Sequence, residues 1–347
     1  YKSVQGLPAP CSLYVFAAPA PGTRDFLETV PEGSAVILIS GIAEDYENFA
    51  ELVHKHRSRG IRIIGPNCMG VFFAPDDRHP GINTLFLGEE RLPLRWTKKS
   101  NVALFSQSGA MGITAVERAQ YAPIYKAIVS FGNKADVNVP DLIRYFSTEK
   151  TVALMAVYLE GLGCGEGREL FCLAEKLDKP LIIYKAGRTE AGAKAAASHT
   201  ASMSGDYDVF QAACRQAGII LVDELPDFYN TVKAFSMLLD TQLNGLHVGG
   251  VVNAGLDATM GADLLGSLQP GSYSPETIEK LKKLNIHALL NVGASFLDVT
   301  PMTDDQLFSD IVDCILADEQ TDCAFIAIVP HIETLKTTDE VCSLPDA

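Results

Sequence analysis

The sequence predicts an α/β protein of doubly wound, mostly parallel sheets, and three observations carry that expectation. Short apolar runs alternate along the chain with amphipathic segments of helical length. The runs are continuous rather than alternating, as strands buried on both faces require. Several end directly in turns built from Gly, Ser or Asn, the strand-to-helix junction of such folds. With 347 residues, 47% of them apolar and 20% charged, the chain is long enough for two or three packed cores.

In chain order, the first expected strands are residues 13–18, 35–40 and 61–65. The stretch 74–100 reads as irregular, because Pro75, Pro80 and Pro93 interrupt it and Trp96-Thr97-Lys98-Lys99 closes it. Strands are expected again at 102–106, 127–130, 152–159 and 181–185. A helix ending near Leu239 and a polar break at 240–245 precede a further strand at 248–253, and a last strand-like run spans 324–329. The two breaks divide the chain into domains at 1–95, 96–242 and 243–347. The chain opens at Tyr1 shortly before one strand and closes just past another, so both ends read as cut from something longer.

Charge and cysteine usage exclude several classes. Lys and Arg number 28 against 43 Asp and Glu, a net charge of −15 that repels nucleic acid and anionic membrane as a whole. A local basic pocket for an anionic ligand stays open. No run approaches the roughly 18 to 20 apolar residues of a membrane span, and the first ten residues lack the regions of a signal peptide. The eight cysteines show neither CxxC pairs nor metal-ligand spacing. They read as thiols of a reducing, cytoplasmic compartment, with no metal site.

The strongest local signal is Val102-Ala103-Leu104-Phe105-Ser106-Gln107-Ser108-Gly109-Ala110-Met111-Gly112, a strand running into a Ser/Gly turn with a helix starting near Ala110. The unpaired N–H groups and dipole of a helix N-terminus suit an anion. Ser106 and Ser108 add hydroxyls, and the glycines let a phosphate approach the backbone. A plain Ser N-cap has the same signature. Gly65-Pro66-Asn67-Cys68-Met69-Gly70 and Ser40-Gly41 end the two preceding strands at the carboxyl edge, where doubly wound sheets bind ligands. A rigid connection with Cys68 as a buried thiol is the plainer alternative. Gly132-Asn133-Lys134-Ala135-Asp136 offers either a cation and a carboxylate near the same edge or a simple turn.

Lys185-Ala186-Gly187-Arg188 leads through an Ala/Gly-rich loop at 191–197 to Ser198-His199-Thr200. His199 stands among hydroxyls and small residues, and a neutral imidazole beside a phosphate site is a nucleophile toward phosphorus. It wants a carboxylate on its other nitrogen, for which Glu160, ending the run 152–159, is the candidate. A strand-end carboxylate that merely meets solvent is the alternative. Asn253-Ala254-Gly255-Leu256-Asp257 repeats the strand-then-turn pattern with less chemistry, and the charged helix at 277–285 reads as a solvated face.

Together and in this order, five of these segments resemble the ADP-forming acyl-CoA synthetases, the phosphohistidine-type relatives of the succinyl-CoA synthetase α subunit. They are the GPNCMG, SQSGA and GNKAD segments, Tyr158-Leu159-Glu160-Gly161, and Lys185-Ala186-Gly187-Arg188 through Ser198-His199-Thr200. The resemblance implies a CoA-binding Rossmann-like domain, N-terminally incomplete, followed by two flavodoxin-like ligase domains, the second also incomplete. It implies that His199 becomes phosphohistidine, that Glu160 holds it, and that Ser106, Ser108, Gly109 and Ala110 bind the phosphoryl group. Ser40, Gly41, Pro66, Asn67 and Cys68 would line the coenzyme A site.

The implied reaction interconverts acyl-CoA, phosphate and ADP with acid, CoA and ATP. The nucleotide and its Mg²⁺ would sit on an ATP-grasp unit, either a β-type partner subunit or a fused domain, in an oligomeric enzyme. Three departures from the family pattern stand out. No strand and glycine-rich turn for the CoA phosphates precedes Tyr1, Ala201 replaces the Gly that usually follows SHT, and no ATP-grasp sequence is visible. A non-catalytic CoA-binding regulatory module of the same fold is the rival, but such modules typically lack the His. A plain Rossmann dehydrogenase fails for want of GxGxxG with a ribose-binding acid.

Overall fold

A computed structural model describes the chain except residues 1–2, 42–45, 89, 121, 201–205, 285–291, 330–332, 336, 339–340 and 343–347. The side chains of 46–47, 196–200, 333, 337–338 and 341–342 also lie outside the description. Two compact units result, Tyr1–Asp240 and Thr241–Ala347.

The first unit begins with a three-stranded parallel sheet, β1 (Leu13–Phe16), β2 (Ala35–Leu38) and β3 (Arg62–Ile64), in that order. Helices α1 (Thr23–Thr29) and α2 (Tyr46–Ser58) make its crossovers. Phe16, Leu27, Leu38, Phe49, Leu52 and Ile63 bury its core. Strand β2 is the most deeply buried of the three, whereas β1 leaves Val15 exposed and β3 opens with the half-buried Arg62.

A seven-stranded sheet follows. Its strands are β4 (Gly70–Phe73), β5 (Ile82–Asn83), β6 (Val102–Ser106), β7 (Tyr125–Ser130), β8 (Leu154–Leu159), β9 (Leu181–Lys185) and β10 (Ile220–Val222). They lie in the order β10-β9-β8-β6-β7-β4-β5, parallel from β10 to β7. The helices are α3 (Gly109–Arg118), α4 (Val139–Thr148), α5 (Glu166–Ala174), α6 (Glu190–Thr200), α7 (Tyr207–Gln216) and α8 (Leu225–Leu238). Two apolar clusters cover the faces of the sheet, one around Phe105, Ile143 and Leu170, the other around Leu104, Ile128 and Phe228.

Sequence reading missed β4 and β5. Both are antiparallel and extend the sheet beyond β7, so the stretch read as irregular contributes a strand. The boundary expected near 95 therefore falls after two strands that hydrogen-bond into the larger sheet. An antiparallel edge added to a parallel sheet leaves no βαβ rhythm to detect.

The second unit carries a parallel sheet centred on β11 (His247–Val252), which pairs with β12 (Gln269–Pro270), β13 (Phe296–Asp298) and β14 (Cys323–Ala327). Helices α9 (Gly255–Asp263), α10 (Pro275–Lys283) and α11 (Asp305–Leu316) accompany it, and Val251, Leu281, Leu297, Phe308 and Ile311 fill its core. Among the described residues no helix is long and apolar enough to cross a membrane.

Candidate active site

Strand β6 has β7 on one side and β8 on the other. Its carboxyl end is thus a topological switch point, where the outgoing loops diverge and leave a crevice. A cleft of about 880 Å³ opens there. Its walls come from strand ends: Ile39 after β2, Asn67 and Cys68 after β3, Gln107 to Ala110 after β6, Asn133 after β7, Glu160 after β8, and Ala186 and Gly187 after β9. Gly192 and Ala195 of α6 complete the lining.

The turn after β6 has the geometry of a helix N-terminus that could receive an anion. Ser108 is the N-cap of α3, its Oγ accepting from Met111 N at 3.4 Å, and Gly109 and Ala110 open the first turn. First-turn N–H groups have no partner within a helix, and here they border the cleft. Ser106 is fully buried and its Oγ donates to the Ser108 carbonyl at 2.5 Å, so it shapes the turn from below.

The turn after β3 depends on close backbone contacts. Gly65 has φ +101°, and a Cβ there would lie 2.4 Å from the Leu38 carbonyl oxygen. Gly132, at φ +53°, would bring a Cβ within 2.3 Å of the Pro66 and Asn67 carbonyls. Asn67 N donates to the Ser40 carbonyl at 2.9 Å, while the Ser40 hydroxyl donates to Ala18. Asn67 and Cys68 line the cleft, and Ser40, Gly41 and Pro66 do not. Cys68 Sγ donates to the Leu38 carbonyl at 3.2 Å, and burial pushes the thiol up to about 12. It is a packing thiol, not a nucleophile.

Glu160 follows β8 and is held at both ends of its backbone. Its N–H donates to Gln107 Oε1 at 2.9 Å, and Gly161 N reaches the same oxygen at 3.3 Å. Its carbonyl accepts from the buried Lys185 Nζ at 2.8 Å. The Tyr158 hydroxyl bonds to Glu160, and burial first, then the Glu160 charge, raise its pKa.

Lys134 and Asp136, expected near this edge, turn inward instead. Lys134 Nζ donates to the Gly161 carbonyl at 2.7 Å and pairs with buried Glu166. Burial lowers its pKa and Glu166 opposes that. Asp136 accepts from Arg62 Nε at 2.9 Å and Ile63 N at 2.8 Å, tying the loop to β3. Both serve as fasteners.

The segment before His199 is a helix rather than the expected loop. Thr189 Oγ1 accepts from Gly192 N at 3.1 Å at its start, and the Ala-rich run continues helical to Thr200. Gly192 and Ala195 border the cleft, and position 199 returns to their helical face by the 3.6-residue period. The His199 side chain lies outside the described residues. Gln107, Asn133 and Lys185 stand inside the quoted motifs, yet sequence reading gave no site role to Gln107 or Lys185. Among the described residues no three His, Cys, Asp or Glu side chains cluster as a metal site would.

Comparison with known proteins agrees with this geometry. Residues 99–235 match the succinyl-CoA ligase-like flavodoxin domain family. The α subunit of ADP-forming acetate–CoA ligase II from Pyrococcus furiosus is 31% identical over 297 residues, 81% of this chain and 61% of that one. The ADP-forming acetate–CoA ligase II of Archaeoglobus fulgidus is 29% identical over 94% of this chain and 49% of its own length. The chain thus spans about half to three-fifths of these curated relatives. A solved structure, the dinucleotide-forming acetyl-coenzyme A synthetase 1 of Ca. Korarchaeum cryptofilum in complex with phosphate and ADP, aligns with a TM-score of 0.76. Its identity is 28%, covering 94% of this chain and 70% of that one. Motifs, sheet order and relatives agree: over most of its length the chain is similar to the ADP-forming acetate–CoA ligases, and its central part to the succinyl-CoA ligase-like flavodoxin domain.

Proposed function

We propose that this chain is the CoA-ligase portion of an ADP-forming acyl-CoA synthetase, working through acyl phosphate and phosphohistidine. The observation that carries the reading is the convergence of the Ser108–Ala110 turn, the Asn67–Cys68 turn and Glu160 on one cleft bordered by the His199 helix. Phosphate seated on the helix N-terminus attacks the thioester carbonyl, giving acyl phosphate and expelling CoA as its thiolate. His199 then attacks the phosphorus, releasing the carboxylate and carrying the phosphoryl group. Glu160 orients the imidazole and balances its developing charge. ADP on an ATP-grasp unit, with its Mg²⁺, takes the group from His199 and yields ATP. Most of the catalysis is positioning and fixed charge.

Within that reading, residues 1–95 contribute the CoA side, with Ser40, Gly41 and Pro66 supporting Asn67 and Cys68. Residues 96–242 carry the phosphate and histidine chemistry, and 243–347 form a second flavodoxin-like part. The ATP-grasp unit is a partner subunit or a fused domain. Incubation with acetyl-CoA and labelled phosphate should give an acid-labile, base-stable label on the protein. A His199→Ala variant that labels as well as the parent contradicts the proposal.

A further inference from the structure

Lys185 is a buried cation that the proposed chemistry leaves without a task. It ends β9, is 5% exposed, and donates to two carbonyls, Glu160 at 2.8 Å and Ala186 at 2.6 Å. An ammonium taken out of water is costly unless charge compensates it, and two neutral carbonyls compensate only partly. A clasp between the loops after β8 and β9 needs a donor but no charge. The neighbouring charges say where the charge is used. Burial lowers the Lys185 pKa, Glu160 opposes that, and Lys134 reinforces it. Lys134 is itself engaged by Glu166. Of the charged groups acting on Lys185, Glu160 is thus the one that supports its ammonium.

The hydrogen bonds point the same way. Gln107 holds the N–H of Glu160 from the phosphate turn, and Lys185 holds its carbonyl from the turn that leads to α6. The Glu160 main chain is pinned between the two segments whose chemistry it would join. We propose that Lys185 is a positioning residue for Glu160: its ammonium fixes the Glu160 peptide and keeps the carboxylate ionised in the cleft. The use of that carboxylate to orient His199 rests on the function proposed above. The placement and charge coupling do not.

The test is the titration of Glu160 itself, read by carboxyl ¹³C NMR on glutamate-labelled protein, with Glu160→Gln assigning the signal. The groups facing it are Tyr158 and Lys185, with Lys134 and Glu166 behind. In Lys185→Gln, which keeps a donor and removes the charge, the Glu160 midpoint should rise by about one pH unit, the low end for losing an opposite charge. The acid limb of the phosphorylation rate should rise with it. An unchanged midpoint in the folded variant overturns the proposal, because a simple clasp would alter thermal stability alone. Should Lys185→Gln fail to fold, the reciprocal measurement decides. Glu160→Gln should lower the Lys185 midpoint seen in lysine ¹³Cε spectra, and no change there is equally fatal. If the parent never labels while the Glu160 midpoint still moves, the function reading fails and the coupling stands.

Discussion

The seven-stranded sheet carries a buried lysine and a cavity at each edge, and the two edges do different work. At the amino edge the groove is the larger, about 1240 Å³ against about 880 Å³. There Lys126 donates to the Ala74 carbonyl at 2.7 Å and to Asp76 at 2.8 Å, above the Phe73 ring. The Asn101 and Ser236 side chains bond each other, and Ser100 holds the Pro123 carbonyl. These groups fasten one loop to the next. At the carboxyl edge Lys185 bonds only carbonyls in the contacts described, and Gln107, Ser108 and Glu160 border open space. Size does not mark the site. What marks it is the switch point in strand order and polar groups that face a cleft.

The sharpest way to break this contrast is Glu160→Gln. Loss of an orienting carboxylate should slow phosphorylation by roughly ten- to a hundredfold with unchanged melting temperature. A normal rate would return Glu160 to the status of a strand-end residue. Lys126→Met should do the opposite. It leaves the buried Ala74 carbonyl without its donor, a loss of about 2 kcal/mol or roughly 4 to 8 °C in melting temperature. Phosphorylation per folded molecule should not change, as a rate assay beside a thermal scan would show.

Ser108→Ala probes the turn where structure and chemistry overlap. Removing the cap should destabilise by about 1 kcal/mol. Phosphate affinity, followed by calorimetric titration, should weaken about tenfold, near one charge-assisted hydrogen bond. Wild-type phosphate affinity would mean that the anion sits elsewhere.

The smallest effect sits on the three-stranded sheet. His56 is fully buried, and burial holds its pKa below the usual histidine value. The folded protein therefore keeps it neutral while the unfolded chain takes up a proton below about pH 6.5. Stability should be fully present above that pH and decline as pH falls from it toward the lowered folded value. His56→Leu should flatten that slope in melting curves from pH 7 to 5 while leaving phosphate binding alone. An identical slope in both proteins would remove His56 from the account.

Most strands were legible because burial on both faces writes a continuous apolar run, as at 102–106 and 181–185. Strand β4 was not, since its pairing with β7 is a tertiary choice that local pattern does not record. The α6 helix was misread as a loop because Ala and Gly were weighed for flexibility, although alanine is the best helix former. Among site residues, Asn67, Cys68, Ser108, Gly109, Ala110 and Glu160 were picked for lying just past strand ends, and the cleft gathers them. Gln107 and Lys185 were passed over because their part depends on partners 53 and 25 residues away.

The central claim is that chemistry belongs to the carboxyl edge and fastening to the amino edge. It is tested most directly by phosphorylating Lys126→Met and Lys185→Gln side by side from acetyl-CoA and labelled phosphate, at equal folded fraction. The account predicts the parental rate for Lys126→Met at every pH and, for Lys185→Gln, an acid limb displaced upward by about one pH unit, so that its rate falls below the parental one by up to about tenfold along that limb. Equal rates in the two variants along that limb, or a slower Lys126→Met, would contradict it.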